Sequence, residues 1–176
     1  MTKVFTFQPE HFNNNGDQGN LEALAHFTKQ PLDSVGINEA AFVLVGDASR
    51  AAMRHFLVEL DEILPTLQHR LENSLPTLII GSSFEYFSGR LSGMPKPVHG
   101  ERVSEFRTAK SDGVEASGYR NSTLVSQDLF IKGAFVGTTL FGPVLAKNPQ
   151  LLRRITDALG LSVSMTTQEK EWISKI

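Results

Sequence analysis

The stretch Thr77-Leu78-Ile79-Ile80-Gly81-Ser82-Ser83-Phe84-Glu85-Tyr86-Phe87 decides the fold of this chain. Its apolar start predicts a buried strand, Leu78–Ile80, that stops at Gly81. The amphipathic segment after the two serines predicts a helix that runs through Leu91. A strand that turns sharply into a helix is how many α/β enzymes hold a nucleophile above a sheet, and the backbone N–H groups at such a helix start can stabilise an anion.

Composition sets limits on structure and function. A length of 176 residues predicts a single domain, residues 1–176. The net charge of −2 gives no reason to expect nucleic acid or a membrane surface as partner. The chain has no cysteine, which excludes disulfides and thiolate chemistry, and its five histidines have no metal-ligand spacing, so we expect neither metal nor cofactor. Met1–Pro9 does not have the character of a signal peptide, and no apolar run reaches the roughly 20 residues of a membrane span, so we expect a cytoplasmic protein.

The first half of the chain alternates between strand and helix patterns. Val4–Gln8 is predicted as a strand, and Asn20 is expected to cap the helix that follows it. Ala41–Val45 is a continuous apolar run, typical of a central strand buried on both faces. Ser49–Asn73 is predicted as a long helix that bends or breaks at Pro65.

The second half contains short strand patterns separated by turns, after a loop rich in proline and glycine. Asn148 and Thr166 or Thr167 are expected to cap the last two helices, with Pro149 at the first helical position. The predicted segments are the loop Gly93–Gly100, the strands Val103–Phe106, Gly113–Tyr119, Thr123–Val125 and Phe130–Val136, and the helices Gln150–Leu159 and Gln168–Ser174. This pattern predicts an α/β sheet with an antiparallel extension.

Four segments in this order carry a family resemblance: Asn15-Gly16-Asp17-Gln18-Gly19-Asn20, Phe42-Val43-Leu44-Val45-Gly46-Asp47, the turn at Gly81, and the run from Gly137 to Pro149. Together they resemble class I glutamine amidotransferase domains of the cobyric acid synthase type, nearest to the amidotransferase subunit of lipid II isoglutaminyl synthase. The resemblance implies a flavodoxin-like three-layer fold, with a mostly parallel sheet and an antiparallel extension.

The residues that carry the chemistry of this family are replaced. Gly81 stands where the family has its nucleophilic cysteine, and Phe141 stands where it has the base histidine. Ser82 and Ser83 replace two glycines, and Glu85 replaces a glutamine. Thiolate attack needs sulfur and a nearby imidazole, so the resemblance implies that glutaminase activity is lost.

Two other family segments have also changed. The family's Gly-Phe-Glu-Asn-His segment corresponds to residues 118–122, where Arg120 replaces the acid and Asn121 is kept. In the turn after the second strand, which can help to form an oxyanion hole, Gly46 is kept and Asp47 follows it. Asp47 can bind a cationic ligand or close a turn. Arg120 can bind an anion in the former pocket, or pair with Asp47 or Glu85.

We therefore expect a catalytically degenerate protein that acts by binding. It would serve as a regulatory or decoy subunit for a synthetase or ligase partner, form a homo-oligomer, or bind a small ligand. The alternative is an amidotransferase or hydrolase that uses Ser82 or Ser83, which needs a histidine or carboxylate about 3 Å from the hydroxyl. Helix capping is favoured for Ser82. The candidate pocket residues, none of them catalytic, are Gly46, Asp47, Gly81, Ser82, Ser83, Glu85, Arg120, Asn121 and Phe141.

Overall fold

The structure, a computed structural model, describes residues 1–173 and 175. In the first part of the chain its elements are β1 (Thr2–Thr6), α1 (Gly19–Thr28), β2 (Leu32–Ser34), β3 (Phe42–Val45), α2 (Arg50–His55), α3 (Leu57–Glu62), α4 (Leu64–Glu72), β4 (Thr77–Ile80) and α5 (Ser82–Phe87). In the second part they are β5 (His99–Ser111), β6 (Val114–Leu124), β7 (Leu129–Lys132), β8 (Phe135–Thr138), β9 (Leu140–Phe141), α6 (Val144–Lys147), α7 (Pro149–Ala158) and α8 (Thr167–Ile173).

A six-stranded sheet forms the middle layer, with the strand order β2-β1-β3-β4-β8-β7. All neighbouring pairs are parallel except β7 and β8, which form a hairpin. A second, antiparallel sheet has the order β5-β6-β9. The mostly parallel α/β sheet with an antiparallel extension is therefore confirmed.

The two central strands β3 and β4 are buried on both faces, as their continuous apolar runs predict. Because side chains alternate along a strand, Phe42 and Leu44 pack with α1 and α7, whereas Val43 and Val45 pack with α3, α4 and α5. Helices therefore cover both faces of the sheet and complete a three-layer architecture.

The predicted single helix over residues 49–73 is wrong, although the chain does break close to Pro65, as predicted. The structure breaks it into α2, α3 and α4, with interruptions at Phe56 and Ile63. Pro65 lies in the first turn of α4, where its missing N–H costs nothing, so it starts a helix instead of bending one. Ser49 caps α2, since its Oγ accepts a hydrogen bond from Ala52 N at 3.2 Å.

The helix after Gly81 is shorter than predicted, because Ser88 leaves helical geometry and α5 ends at Phe87. The separate strands predicted over residues 103–125 are one long hairpin, β5 and β6. It turns at Asp112-Gly113, where both φ angles are positive, as a tight hairpin requires. The strand predicted over residues 130–136 is likewise a hairpin, β7 and β8. The three-residue edge strand β2 is absent from the sequence prediction.

Two of the predicted caps act differently. The side chain of Asn20 does not cap α1; its Nδ2 donates to Gly142 O at 3.3 Å and its Oδ1 accepts from Leu145 N at 2.9 Å. Asn148 precedes α7 as predicted, but its side chain bonds the backbone of Ser117 instead of capping the helix. The last predicted helix starts one residue early, at Thr167, and Ser174 lies outside the described residues. Of the helices in residues 1–173 and 175, none combines the length and apolar character needed to cross a membrane.

Candidate functional site

The carboxyl ends of β3 and β4 meet at one edge of the parallel sheet, where ligands of open α/β folds bind. Gly46 and Asp47 follow β3 there, and Gly81 follows β4. Gly46 must be a glycine, because an added Cβ would lie 2.0 Å from the backbone oxygen of Phe12. The parallel pairing of β3 and β4 thus brings the two turns together, as the resemblance implies.

The turn at Gly81 has the sharp strand-to-helix geometry expected of a nucleophile elbow. Gly81 adopts φ 60° and ψ −126°, a conformation that costs an L residue strain and a glycine almost none. It is the N-cap residue of α5, so the expectation that Ser82 caps this helix is wrong: Ser82 is the first helical residue.

The carboxylate of Asp47 occupies the elbow. Its Oδ1 accepts a hydrogen bond from Ser82 N at 2.8 Å, and its Oδ2 accepts from Asn15 Nδ2 at 2.8 Å and Asn14 Nδ2 at 3.1 Å. An added Cβ at Gly81 would lie 2.4 Å from Oδ1 of Asp47. The Ser82 amide, which could stabilise an anion, is therefore already bonded to the Asp47 carboxylate. No side chain fits at residue 81 while Asp47 holds this position.

A second buried acid, Asp17, holds Asp47 in place through the backbone of Asp47. Its Oδ2 accepts a hydrogen bond from Asp47 N at 2.9 Å, and its side chain is fully buried. Burial, together with the nearby charge of Asp47, raises the pKa of the Asp17 carboxyl to about 7. Asp17 belongs to the first motif of the family resemblance, and in the structure it positions Asp47 through this hydrogen bond.

The two serines after Gly81 bond to backbone groups. Ser82 Oγ donates to Ala48 O at 2.9 Å and accepts from Ala48 N at 3.0 Å, and Ser83 Oγ donates to Gly46 O at 2.7 Å. Both hydroxyls hold the elbow against the loop after β3. Among the described residues, no histidine or carboxylate hydrogen-bonds either hydroxyl.

Arg120 belongs to β6 and points inward from the hairpin, with 1 % of its surface exposed. Its Nε lies 2.9 Å from Asp128 Oδ1, and its Nη2 donates to Leu124 O. The expectation that it pairs with Asp47 or Glu85 is therefore wrong. Glu85 instead accepts a hydrogen bond from the hydroxyl of Ser122, the next inward-facing residue of β6.

A cavity of about 560 Å³ opens in front of the elbow, and we call it the elbow cavity. Five of the nine sequence-predicted site residues line it, namely Asp47, Ser82, Glu85, Asn121 and Phe141. The other four, Gly46, Gly81, Ser83 and Arg120, are not part of its lining. The lining residues absent from that prediction are Asn14, Asn15, Ala48, Ser49, Arg50, Met53, Tyr86, Arg102 and Thr123.

The sequence could have predicted some of these additional lining residues. The asparagine cluster at residues 13–15 adjoins the first family motif, so its nearness to the elbow could have been inferred. Arg102 and Thr123 reach the cavity only because the β5–β6 hairpin folds back over the sheet edge, and the sequence carries no local sign of that. Within the described part of the chain, no group of three or more acidic or histidine side chains is arranged to hold a metal ion.

Comparisons with known proteins support the fold alone. No protein-family model matches the chain, and no curated protein matches it. Among solved structures, the chain is similar to a glutamine amidotransferase from Thermotoga maritima, with a TM-score of 0.52 and 14 % sequence identity. The similarity covers 99 % of this chain and 86 % of that one. The chain therefore has a glutamine amidotransferase-like fold.

Proposed function

We propose that this protein is a catalytically degenerate relative of the glutamine amidotransferases and acts by binding a ligand in the elbow cavity. One observation carries the proposal: the Asp47 carboxylate bonds the Ser82 amide and fills the space over Gly81. A carboxylate in this position opposes the negative charge that develops during acyl transfer. The elbow therefore keeps its shape and lacks the means to stabilise an oxyanion.

We also propose that the chain belongs to the cobyric acid synthase type. Asn20 links the first and last family motifs through its hydrogen bonds to Gly142 O and Leu145 N. Phe141, at the family's histidine position, lines the same cavity as Ser82. The residues that the resemblance relates to one another thus lie together in space.

A glutamine hydrolysis assay tests the loss of catalysis. We expect the wild-type protein and the Ser82→Ala variant to release no more ammonia than a blank without protein. Each serine hydroxyl bonds backbone groups, and no histidine or carboxylate among residues 1–173 and 175 is hydrogen-bonded to it to remove its proton. Hydrolysis by the wild type that disappears in Ser82→Ala or Ser83→Ala would overturn the proposal in favour of a serine enzyme.

A thermal-shift screen of small metabolites tests binding. We expect at least one class of compound to raise the melting temperature, because a ligand that binds only the folded state stabilises it. Asn121→Trp should abolish the shift by filling the cavity. Glu115→Trp is the matched control, since Glu115 lies on the same exposed face of β6 and does not line the cavity. A shift that survives Asn121→Trp argues against this cavity.

A second copy of the chain is a further candidate partner, favoured by the hairpin. Among the described strands only β6 pairs with β5, and β5 is a 13-residue strand that is exposed along most of its length. Phe106 and Tyr119 face each other across the hairpin and are 53 % and 48 % exposed. Antiparallel pairing of two β5 strands centred on Phe106 would set Glu105 of one copy opposite Arg107 of the other, a favourable cross-strand pair.

Light scattering after gel filtration tests this partner. We expect a dimer for the wild type and a monomer for Phe106→Arg, which places two like charges opposite each other. Val58→Arg, a change at an exposed apolar residue outside the hairpin, should remain dimeric. A monomeric wild type, or a dimer unaffected by Phe106→Arg, would refute dimer formation through β5. If a pull-down recovers a synthetase or ligase that binds the same face, that enzyme is the partner in place of a second copy.

A further inference from the structure

The lining of the elbow cavity carries two carboxylates, Asp47 and Glu85, and two guanidinium groups, Arg50 and Arg102. Asp47 already receives three hydrogen bonds, and Glu85 receives one from Ser122. Arg50 and Arg102 line the same cavity, and neither forms an ion pair with any side chain in residues 1–173 and 175. Both carboxylates thus accept hydrogen bonds from their own neighbours, whereas no described carboxylate lies within ion-pair distance of either guanidinium.

The two arginines come from different walls. Arg50 is the first residue of α2, and Arg102 lies near the start of β5. Arg102 Nη1 donates to Asn121 Oδ1 at 2.9 Å, which orients the guanidinium and leaves its other donors available. Four other arginines, Arg90, Arg107, Arg120 and Arg154, each contact a carboxylate, whereas Arg54, Arg70 and Arg153 form no ion pair with a described side chain and do not line the cavity. An anion lying between the two walls would meet both unpaired groups.

We propose that the elbow cavity binds a small molecule carrying a phosphate monoester, held between Arg50 and Arg102. This inference rests on the proposed binding function. Guanidinium groups recognise phosphate and carboxylate oxygens through paired hydrogen bonds. A phosphate monoester carries close to two negative charges at neutral pH, which matches two arginines better than a single carboxylate does.

The remaining space and lining describe the rest of the ligand. A volume of about 560 Å³ is in the range of small-molecule sites and is larger than a phosphate alone requires. Met53, Tyr86 and Phe141 provide apolar and aromatic surface, and the Nδ2 of Asn121 remains a donor because only its Oδ1 is used. The ligand class is therefore a phosphate monoester on a flat or partly apolar organic body.

Calorimetric titration of the full chain with inorganic phosphate, AMP and ribose 5-phosphate tests the inference, with adenosine and glutamate as comparison ligands. We expect at least one of the three phosphates to bind. Adenosine should bind at least tenfold more weakly than AMP, and glutamate more weakly than the best phosphate. Binding should weaken as salt rises, because the arginines are exposed.

Arg50→Gln and Arg102→Gln should each weaken phosphate binding at least tenfold, because each removes a charged donor. Arg54→Gln is the matched control: Arg54 lies on the same short helix, forms no ion pair with described side chains and does not line the cavity. It should bind as the wild type does. The inference would be overturned if none of the three phosphates binds, or if Arg50→Gln and Arg102→Gln bind phosphate as tightly as the wild type does.

The outcome separates this inference from the function on which it rests. If no phosphate binds but another class of compound gives a thermal shift that Asn121→Trp abolishes, the binding function stands and the phosphate assignment fails. If the wild type hydrolyses glutamine, the binding function itself fails.

Discussion

Gly81→Ala is the sharpest test of how the elbow is held. The new Cβ would lie 2.4 Å from Oδ1, 2.7 Å from Cγ and 2.9 Å from Cβ of Asp47. These separations are too short for any real contact, so the Asp47 side chain must move. Its movement breaks one or two of its hydrogen bonds to Ser82 N, Asn14 and Asn15.

The expected cost has two parts. Forcing alanine to adopt φ 60° costs about 1–2 kcal/mol. Losing one or two hydrogen bonds to a charged acceptor costs about 2–3 kcal/mol more. We therefore expect Gly81→Ala to lower the free energy of unfolding by about 4 kcal/mol, measured by urea denaturation followed by circular dichroism.

Two variants of Asp47 separate the steric clash of Gly81→Ala from its backbone strain. In Asp47→Ala the carboxyl group is gone and only the Cβ of residue 47, at 2.9 Å, stays too close, so Gly81→Ala should cost little more than the strain of about 1–2 kcal/mol. In Asp47→Asn the side chain keeps its size, so the cost should stay near the wild-type value. A cost that is equal within about 0.5 kcal/mol in all three backgrounds would refute the claim that Asp47 fills the elbow. If Gly81→Ala alone does not fold, recovery of folding in the Asp47→Ala background gives the same answer.

Three further predictions concern buried or paired charges. Because the pKa of Asp17 is raised in the folded state, that state binds the carboxyl proton more tightly than the unfolded state does. The resulting stabilisation is fully present below about pH 4 and is lost as the pH rises to about 7. In Asp17→Asn the free energy of unfolding should depend less steeply on pH in this window, and an unchanged slope would contradict the raised pKa of Asp17. Hydrogen bonds from His26 and Thr166 lower the pKa of Glu169 to about 2, so its contribution to docking α8 should be lost as pH falls from about 4.5 towards 2. Fluorescence of Trp172, the single tryptophan, should report that change in the wild type and show no such titration in Glu169→Gln. Arg70 donates to three backbone oxygens and to a threonine, so Arg70→Met should lower the free energy of unfolding by about 3 kcal/mol and Arg70→Lys by less, as urea denaturation would show.

Much of the central sheet could be predicted from the sequence, because the signal there is local. Residues 42–45 and 77–80 are apolar runs of strand length, and each ends at a glycine or a glycine turn. Helix lengths were less predictable. The pattern over residues 49–73 fits one amphipathic helix, but packing against the sheet breaks it at Phe56, which is buried, and at Ile63. Tertiary contact overrides periodicity in such segments.

The candidate site was only partly predictable for the same reason. The prediction that Gly81 and Phe141 replace the family's cysteine and histidine could be made from the sequence, since the motifs around them are contiguous. The pairing of Arg120 was predicted wrongly, because the residue's partner, Asp128, is set by the register of β6 and the path of the following loop. No local pattern encodes that contact.

The sequence by itself determined the elbow and the two buried strands around it, and it predicted that the family's catalytic residues are replaced. Only the tertiary structure decided which groups surround the elbow. Asp47 fills the elbow because two loops, 35 residues apart at Ser82 N, meet at one sheet edge. Arg50 and Arg102 face one cavity because a hairpin folds over that edge. Such contacts depend on the approach of distant segments, which local patterns of hydrophobicity do not specify.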